Sequence, residues 1–135
     1  AQLLSTAHRV LDGDEYADSM GLYKATHKNH PCTKWCTAAS ANYLYLYHLF
    51  AKLCGEYTHR YGKVHLTQKK LSTILATPPD NMPRTAEVDF VNMPQAMPDQ
   101  YKDPSVVTAY RKYYKGEKFE IAKYTKRDIP DWMEK

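Results

Sequence analysis

Residues 33–61 run without a proline and with one glycine, Gly55, in a chain that holds eight prolines and five glycines. A stretch of that length, rich in alanine, leucine and tyrosine, has one simple solution, an α-helix. Pro31 stands just ahead of it, Thr33 is placed as an N-cap, and Gly62 is placed to close the C-terminus. At about 100° per residue, Cys36, Ala39, Tyr43, Leu46, Tyr47, Phe50, Leu53, Cys54, Tyr57 and Tyr61 share one broad face. Lys34, Thr37, Ala41, Tyr45, His48, Lys52 and His59 share the other. The spacing predicts one long central amphipathic helix, about 40 Å at 1.5 Å per residue.

Shorter elements surround it. "AQLLSTAHRVL" has helical spacing through Leu3, Leu4, Ala7 and Leu11, and Asp12-Gly13-Asp14 reads as the turn that ends it. No capping residue precedes this helix and no methionine opens the chain, so the expectation is that a native N-terminal segment lies upstream. Tyr16, Met20 and Tyr23 suit a short helix. Thr67 signals a further start, followed by Leu71, Ile74 and Leu75, and "ATPPDNMP" stops it. Residues 77–104 hold most of the prolines and predict a long surface loop that buries Phe90, Val91, Met93 and Met97. Asp103-Pro104 predicts a last helix through Val107, Tyr110, Tyr114, Ile121 and Tyr124, disturbed at Gly116, with Trp132 tucked back by the tail. The expected fold is all-α, a single helical domain over residues 1–135.

Composition narrows the class. A hydrophobic share of 43% with 25% charged residues suits a globular chain. No apolar run nears the roughly 20 residues of a membrane span, so no membrane partner is expected. Three irregularly spaced cysteines argue against a disulfide framework and for a reducing, cytoplasmic setting. A net charge of +4 permits an anionic partner without requiring one. Twelve tyrosines suit half-buried surfaces or stacking on bases.

"NHPCTKWC", residues 29–36, is the first candidate site. His27, His30, Cys32 and Cys36 are zinc-type atoms, but H-x2-H-x-C-x3-C matches no common zinc pattern, and Cys36 falls on the apolar face. No metal or cofactor is therefore assigned. Nothing marks a cysteine as an activated nucleophile. The plainer reading is a turn in which His30 caps the helix start. The sharper one is an anion site, since a helix start attracts anions and Lys28, His30 and Lys34 surround this one. Glu56 and Arg60, four apart, form an ion pair on a helix or a device that aims Arg60 at a ligand. "YRKYYKGEK", residues 110–118, interleaves four cations with three tyrosines, which suits a backbone-tracking, base-stacking surface or a helix with snorkelling lysines.

"NHP" at 29–31, the helix after it, and "EYTHRYGK" at 56–63 resemble the pyrimidine-dimer DNA glycosylase family, the phage endonuclease-five type and its bacterial relatives. In that family an N-H-P turn leads into a long helix that ends in E-x3-R, then Gly and an aromatic residue; here the order is Tyr61-Gly62. The resemblance covers residues 29–63. Residues 93–127 look more like uncharacterised proteins encoded by marine phages. The resemblance implies a helical protein that acts on damaged duplex DNA through an N-terminal amine and a nearby glutamate. Both lie upstream of the region matching "AQLLSTAH", and neither Glu15 nor Glu56 is in a matching position, so no catalytic residue is assigned. The expected nucleic-acid contacts are Asn29, His30, Lys34, Arg60 and Lys63, with Arg111, Lys112, Tyr113 and Tyr114 as a second surface. The alternative is a non-enzymatic phage accessory protein that forms a homo-oligomer.

Overall fold

The computed structural model describes residues 1–134, and among them the chain is all-α, with no strand. The helices are α1 (Gln2–Asp12), α2 (Asp14–Ser19), α3 (Pro31–Ala38), α4 (Ser40–Tyr61), α5 (Leu66–Leu75) and α6 (Val106–Glu117), with short 3-10 turns at Asp99–Tyr101 and Asp131–Met133. They fall into two compact units, residues 1–92 and the residues from Met93 onward. No helix among the described residues is long and apolar enough to cross a membrane.

The predicted central helix is two helices. Ala39 is extended (φ −161°, ψ 147°) and separates α3 from α4. Neither proline nor glycine makes this break; tertiary hydrogen bonds do. Ser40 N–H donates to the Pro83 carbonyl at 2.8 Å, and Ala41 N–H to Thr85 Oγ1 at 3.1 Å. Thr85 N–H donates in turn to Ser40 Oγ at 2.9 Å. The first donors of α4, which have no partner within the helix, are thus met by the proline-rich loop. Asn42 completes the joint: its Nδ2 donates to the Trp35 carbonyl (3.0 Å) and its Oδ1 accepts from Asp89 N–H (2.9 Å). Trp35 Nε1 donates to the Asp89 carbonyl at 2.9 Å.

The core of the first unit gathers Leu4 and Ala7 from α1, Cys36 from α3, Tyr43, Phe50 and Cys54 from α4, Leu71 and Leu75 from α5, and Met82 from the loop. Its centre is polar at one point. Tyr43 is fully buried, donates its hydroxyl to the Leu75 carbonyl at 2.7 Å, and so receives the Nε2–H of buried His8 at 2.9 Å. Arg9, 9% exposed, donates to the Tyr23 and Leu22 carbonyls and pairs with Asp14 (3.1 Å) and Asp18 (2.8 Å), which fastens α2 to α1. Asp12 takes the N–H groups of Asp80 and Asn81 at 2.8 and 3.0 Å and so anchors the turn after α5.

Several expectations are corrected. Leu53 and Tyr61, assigned to the apolar face, are 61% and 59% exposed: Leu53 lines an open cavity, and Tyr61 is the last residue of α4. Phe90 and Val91 are exposed; residues 88–92 are held by backbone and side-chain hydrogen bonds rather than by burial. The N-cap of α3 is His30, not Thr33, and α5 is capped by His65, not Thr67. In the second unit Ser105, not Asp103, caps α6, accepting Thr108 N–H at 3.3 Å, while Asp103 Oδ1 accepts Ser105 N–H. That helix ends at Glu117, so Ile121 and Tyr124 lie beyond it. Gly116 seats the Tyr101 ring there, and Tyr101 donates to Glu117 at 2.8 Å.

Candidate nucleic-acid interface

The "NHP" turn is built as its residues suggest. His27 takes a left-handed conformation (φ 52°), and its carbonyl accepts His30 N–H at 3.0 Å. His30 is then extended, as a residue before proline must be, and Pro31 sits at the first helical position. The His30 ring turns back so that Nδ1 accepts Cys32 N–H at 3.0 Å. This cap removes one donor of the helix start, and Pro31 never had one. A phosphate at this end would therefore meet side-chain cations more than backbone N–H groups.

Those cations converge. Lys28 and Lys34 line one cavity of about 210 Å³ together with Val10, Thr33, Thr37 and Ala38. Asn29, His30 and Lys34 are exposed beside it. No acidic residue is among the walls. Val10, Thr33 and Thr37 were not among the expected contacts. Their signal was faint, because only the packing of α3 on α1 brings Val10 to this place.

Arg60 and Lys63 sit elsewhere. Arg60 is in the last turn of α4 and Lys63 just after Gly62, whose left-handed backbone (φ 69°) closes the helix. The 22 residues of α4 rise about 33 Å between Ser40 and Tyr61. Arg60 Nε donates to Glu56 at 2.9 Å, with both side chains largely covered (22% and 31% exposed). The pair is thus an ion pair within the helix, and Arg60 is partly occupied by it.

The second expected surface lies in the second unit, and each of its members is already engaged there. Arg111 lies over the Trp132 ring, 5.5 Å from its centroid. Lys112 pairs with Asp103 at 2.8 Å. Tyr113 packs edge-on to Tyr101 (5.6 Å) and Tyr114 (6.0 Å), with Lys118 above it at 5.6 Å. Tyr114 keeps 47% of its surface exposed and is the most available platform of the set.

The cysteine chemistry is that of packing. Burial pushes the Cys36 thiol up to about 12, well away from thiolate character, and it also raises Cys54. Among the described residues no three His, Cys, Asp or Glu side chains group as a metal site would need. His27 and His30 meet edge to face with ring centroids 6.3 Å apart.

No family profile, no curated protein and no solved structure matches this chain.

Proposed function

We propose that the chain is a DNA-binding, glycosylase-like helical protein of phage type. In this reading it grips the backbone of damaged duplex DNA at the start of α3 and works in the cytoplasm of a host cell. The observation that carries the reading is the shared cavity of Lys28 and Lys34, with exposed His30 and Asn29 at its edge and no acidic wall. Two lysines on a phosphate-sized dent displace counterions when they meet a backbone, which makes such binding salt-sensitive. In this reading Arg60 and Lys63 add contacts within the first unit, and Arg111, Lys112, Tyr113 and Tyr114 are a second surface in the other unit. It assigns no catalytic residue.

The test is fluorescence anisotropy of a labelled duplex, with and without one thymine dimer, at low and at physiological salt. Expected is tighter binding to the damaged duplex, weakening as salt rises. Lys28→Glu with Lys34→Glu should lower affinity and make the slope of log K against log salt shallower by about 2, since each phosphate that a lysine neutralises adds roughly 0.9 to it. Binding that ignores salt, or that ignores the double variant, overturns the reading.

One observation favours a second reading, a non-enzymatic accessory protein that self-associates. Val91 is 92% exposed and adjoins exposed Phe90, whose ring meets Tyr45 edge-on at 5.4 Å. Light scattering decides it: a stable dimer that Phe90→Asp dissociates and that ignores DNA supports this second reading, whereas a monomer removes it.

A further inference from the structure

We infer that the start of α3 is a proton-linked anion site: a phosphate group replaces the His30 ring as partner of the Cys32 N–H, and the freed ring takes up a proton from water. This rests on the grip proposed above and adds its regulation. Cys32 N–H donates to His30 Nδ1 at 3.0 Å, and only a neutral imidazole has a lone pair to accept it. The His30 side chain is otherwise exposed, with the His27 ring edge-on at 6.3 Å. Lys28 and Lys34 flank it in sequence and line the cavity beside it, with no Asp or Glu among the described wall residues. From α1, which packs on α3, the wall takes only Val10. The charged residues next to Val10 on that helix are engaged elsewhere, Arg9 by Asp14 and Asp18, and Asp12 by Asp80 and Asn81. Thr33 supplies an independent sign of a ligand. It is 1% exposed, belongs to the cavity wall, and its Oγ1 has no hydrogen-bond partner. Buried hydroxyls are nearly always bonded, so an unmet one in a cavity wall points to a polar atom that belongs beside it.

Without an anion, protonation of His30 is opposed in three ways. It breaks the cap, adds charge beside two lysines, and sets a cation at the positive end of a helix dipole. With an anion in place the charge terms reverse, and the Cys32 N–H has a new acceptor. Binding and protonation therefore help one another, and each raises the affinity for the other by the same factor. Affinity for the anion rises as pH falls through the imidazole range.

The probe is sulfate, a phosphate-shaped dianion that keeps its charge across this range, titrated into the 135-residue chain at about pH 8 and about pH 6. Backbone amide NMR follows Cys32, and the ring nitrogen shifts of His30 report which nitrogens carry hydrogen. Sulfate should move the Cys32 amide, bind about fivefold or more tightly at the lower pH, and bring a hydrogen onto His30 Nδ1. His30→Asn keeps a cap acceptor at this position, so the helix start survives, but it takes up no proton. In that variant most of the pH dependence should be lost. Lys28→Glu should weaken sulfate at both pH values. A labelled duplex taken through the same two pH values separates this inference from the reading it rests on. Proton-linked sulfate binding without duplex binding upholds the site and removes the DNA grip. Duplex binding that tightens equally in His30→Asn keeps the grip and overturns the proton link. Sulfate that leaves the Cys32 amide in place, or that binds equally at both pH values, overturns the inference as well.

Discussion

The two units are held together by different means. In residues 1–92 several polar side chains go inside and bond one another or the backbone there: His8 to Tyr43, Tyr43 to Leu75, Asn42 to Trp35 and Asp89. Among the described residues from Met93 to Glu134 only Ala109 and Met133 are buried. That unit relies on rim contacts instead, including Tyr101 to Glu117, Lys112 to Asp103, and Gln95, which bonds the Asp103 carbonyl and N–H at 2.6 and 3.0 Å. The first unit should therefore fail as a whole when a buried group is removed, and the second should respond to single half-exposed contacts. Tyr43 offers the sharpest break. Tyr43→Phe leaves the His8 donor and the Leu75 carbonyl unmet and should cost about 1–3 kcal/mol. Tyr43→Ala adds a cavity and should cost about 3–5 kcal/mol. Urea unfolding followed by circular dichroism reads both. A loss under half a kilocalorie for Tyr43→Ala would mean that the first unit is not core-held.

The next largest effect is expected at the α3–α4 joint, which is also where the sequence was least legible. Helical spacing through residues 33–61 found the buried positions Cys36, Tyr43, Phe50 and Cys54, each set by periodicity within one helix, but it put buried Ala41 on the polar face, beside the joint. It could not find the break at Ala39, because the cause lies more than forty residues away in Pro83 and Thr85. The His30 cap was legible for the opposite reason: the turn, the proline and the capped N–H are neighbours in sequence. The Lys28–Lys34 cavity was legible only in its cations, since Val10 reaches it from a separate helix. Asn42→Ala removes the side chain that ties Trp35 to Asp89 and should cost about 1–3 kcal/mol. Amide exchange should rise in residues 83–92 before it rises in α5. Uniform exchange across the first unit would mean that loop and joint do not act together.

Acid should separate the units by a graded effect. Burial lowers the pKa of His8 below the ordinary 6.5, although Asp12, the Thr77 backbone and Asp80 pull the other way. The folded state thus keeps His8 neutral, while the unfolded chain takes up a proton near 6.5. The stability this adds is full above that pH and is lost as pH falls below it. Asp12 acts lower on the scale. Burial works to raise it, but the donors on Asn81 and Asp80 outweigh that and hold it below 3.8, so its contribution disappears only in stronger acid. The urea midpoint of the first unit should fall between about pH 7.5 and about pH 5, which bracket the histidine range. His8→Gln keeps a donor for Tyr43 and should flatten that dependence. An unchanged slope in His8→Gln would move the effect to the other histidines.

The smallest effect tests the second unit, and its sign is the informative part. Gly116 lies in the last turn of α6, where alanine would ordinarily add about 1 kcal/mol of helix stability. A Cβ at this position would stand 2.6 Å from both Cε1 and the hydroxyl oxygen of Tyr101. Either the ring leaves, taking with it the bond to Glu117 and the edge contact with Tyr113, or the helix end shifts. Gly116→Ala should therefore destabilise the second unit by about 1 kcal/mol, in the range of overpacking, rather than stabilise it. Tyr101→Ala removes the obstacle, so in that background the same Gly116→Ala change should become stabilising by about 0.5–1 kcal/mol. The reversal is a coupling between the two positions that a double-mutant cycle reads directly. A stabilising Gly116→Ala in the unaltered chain would show that Tyr101 moves aside freely, and that this unit owes its helix end to α6 itself and not to the ring packed on it.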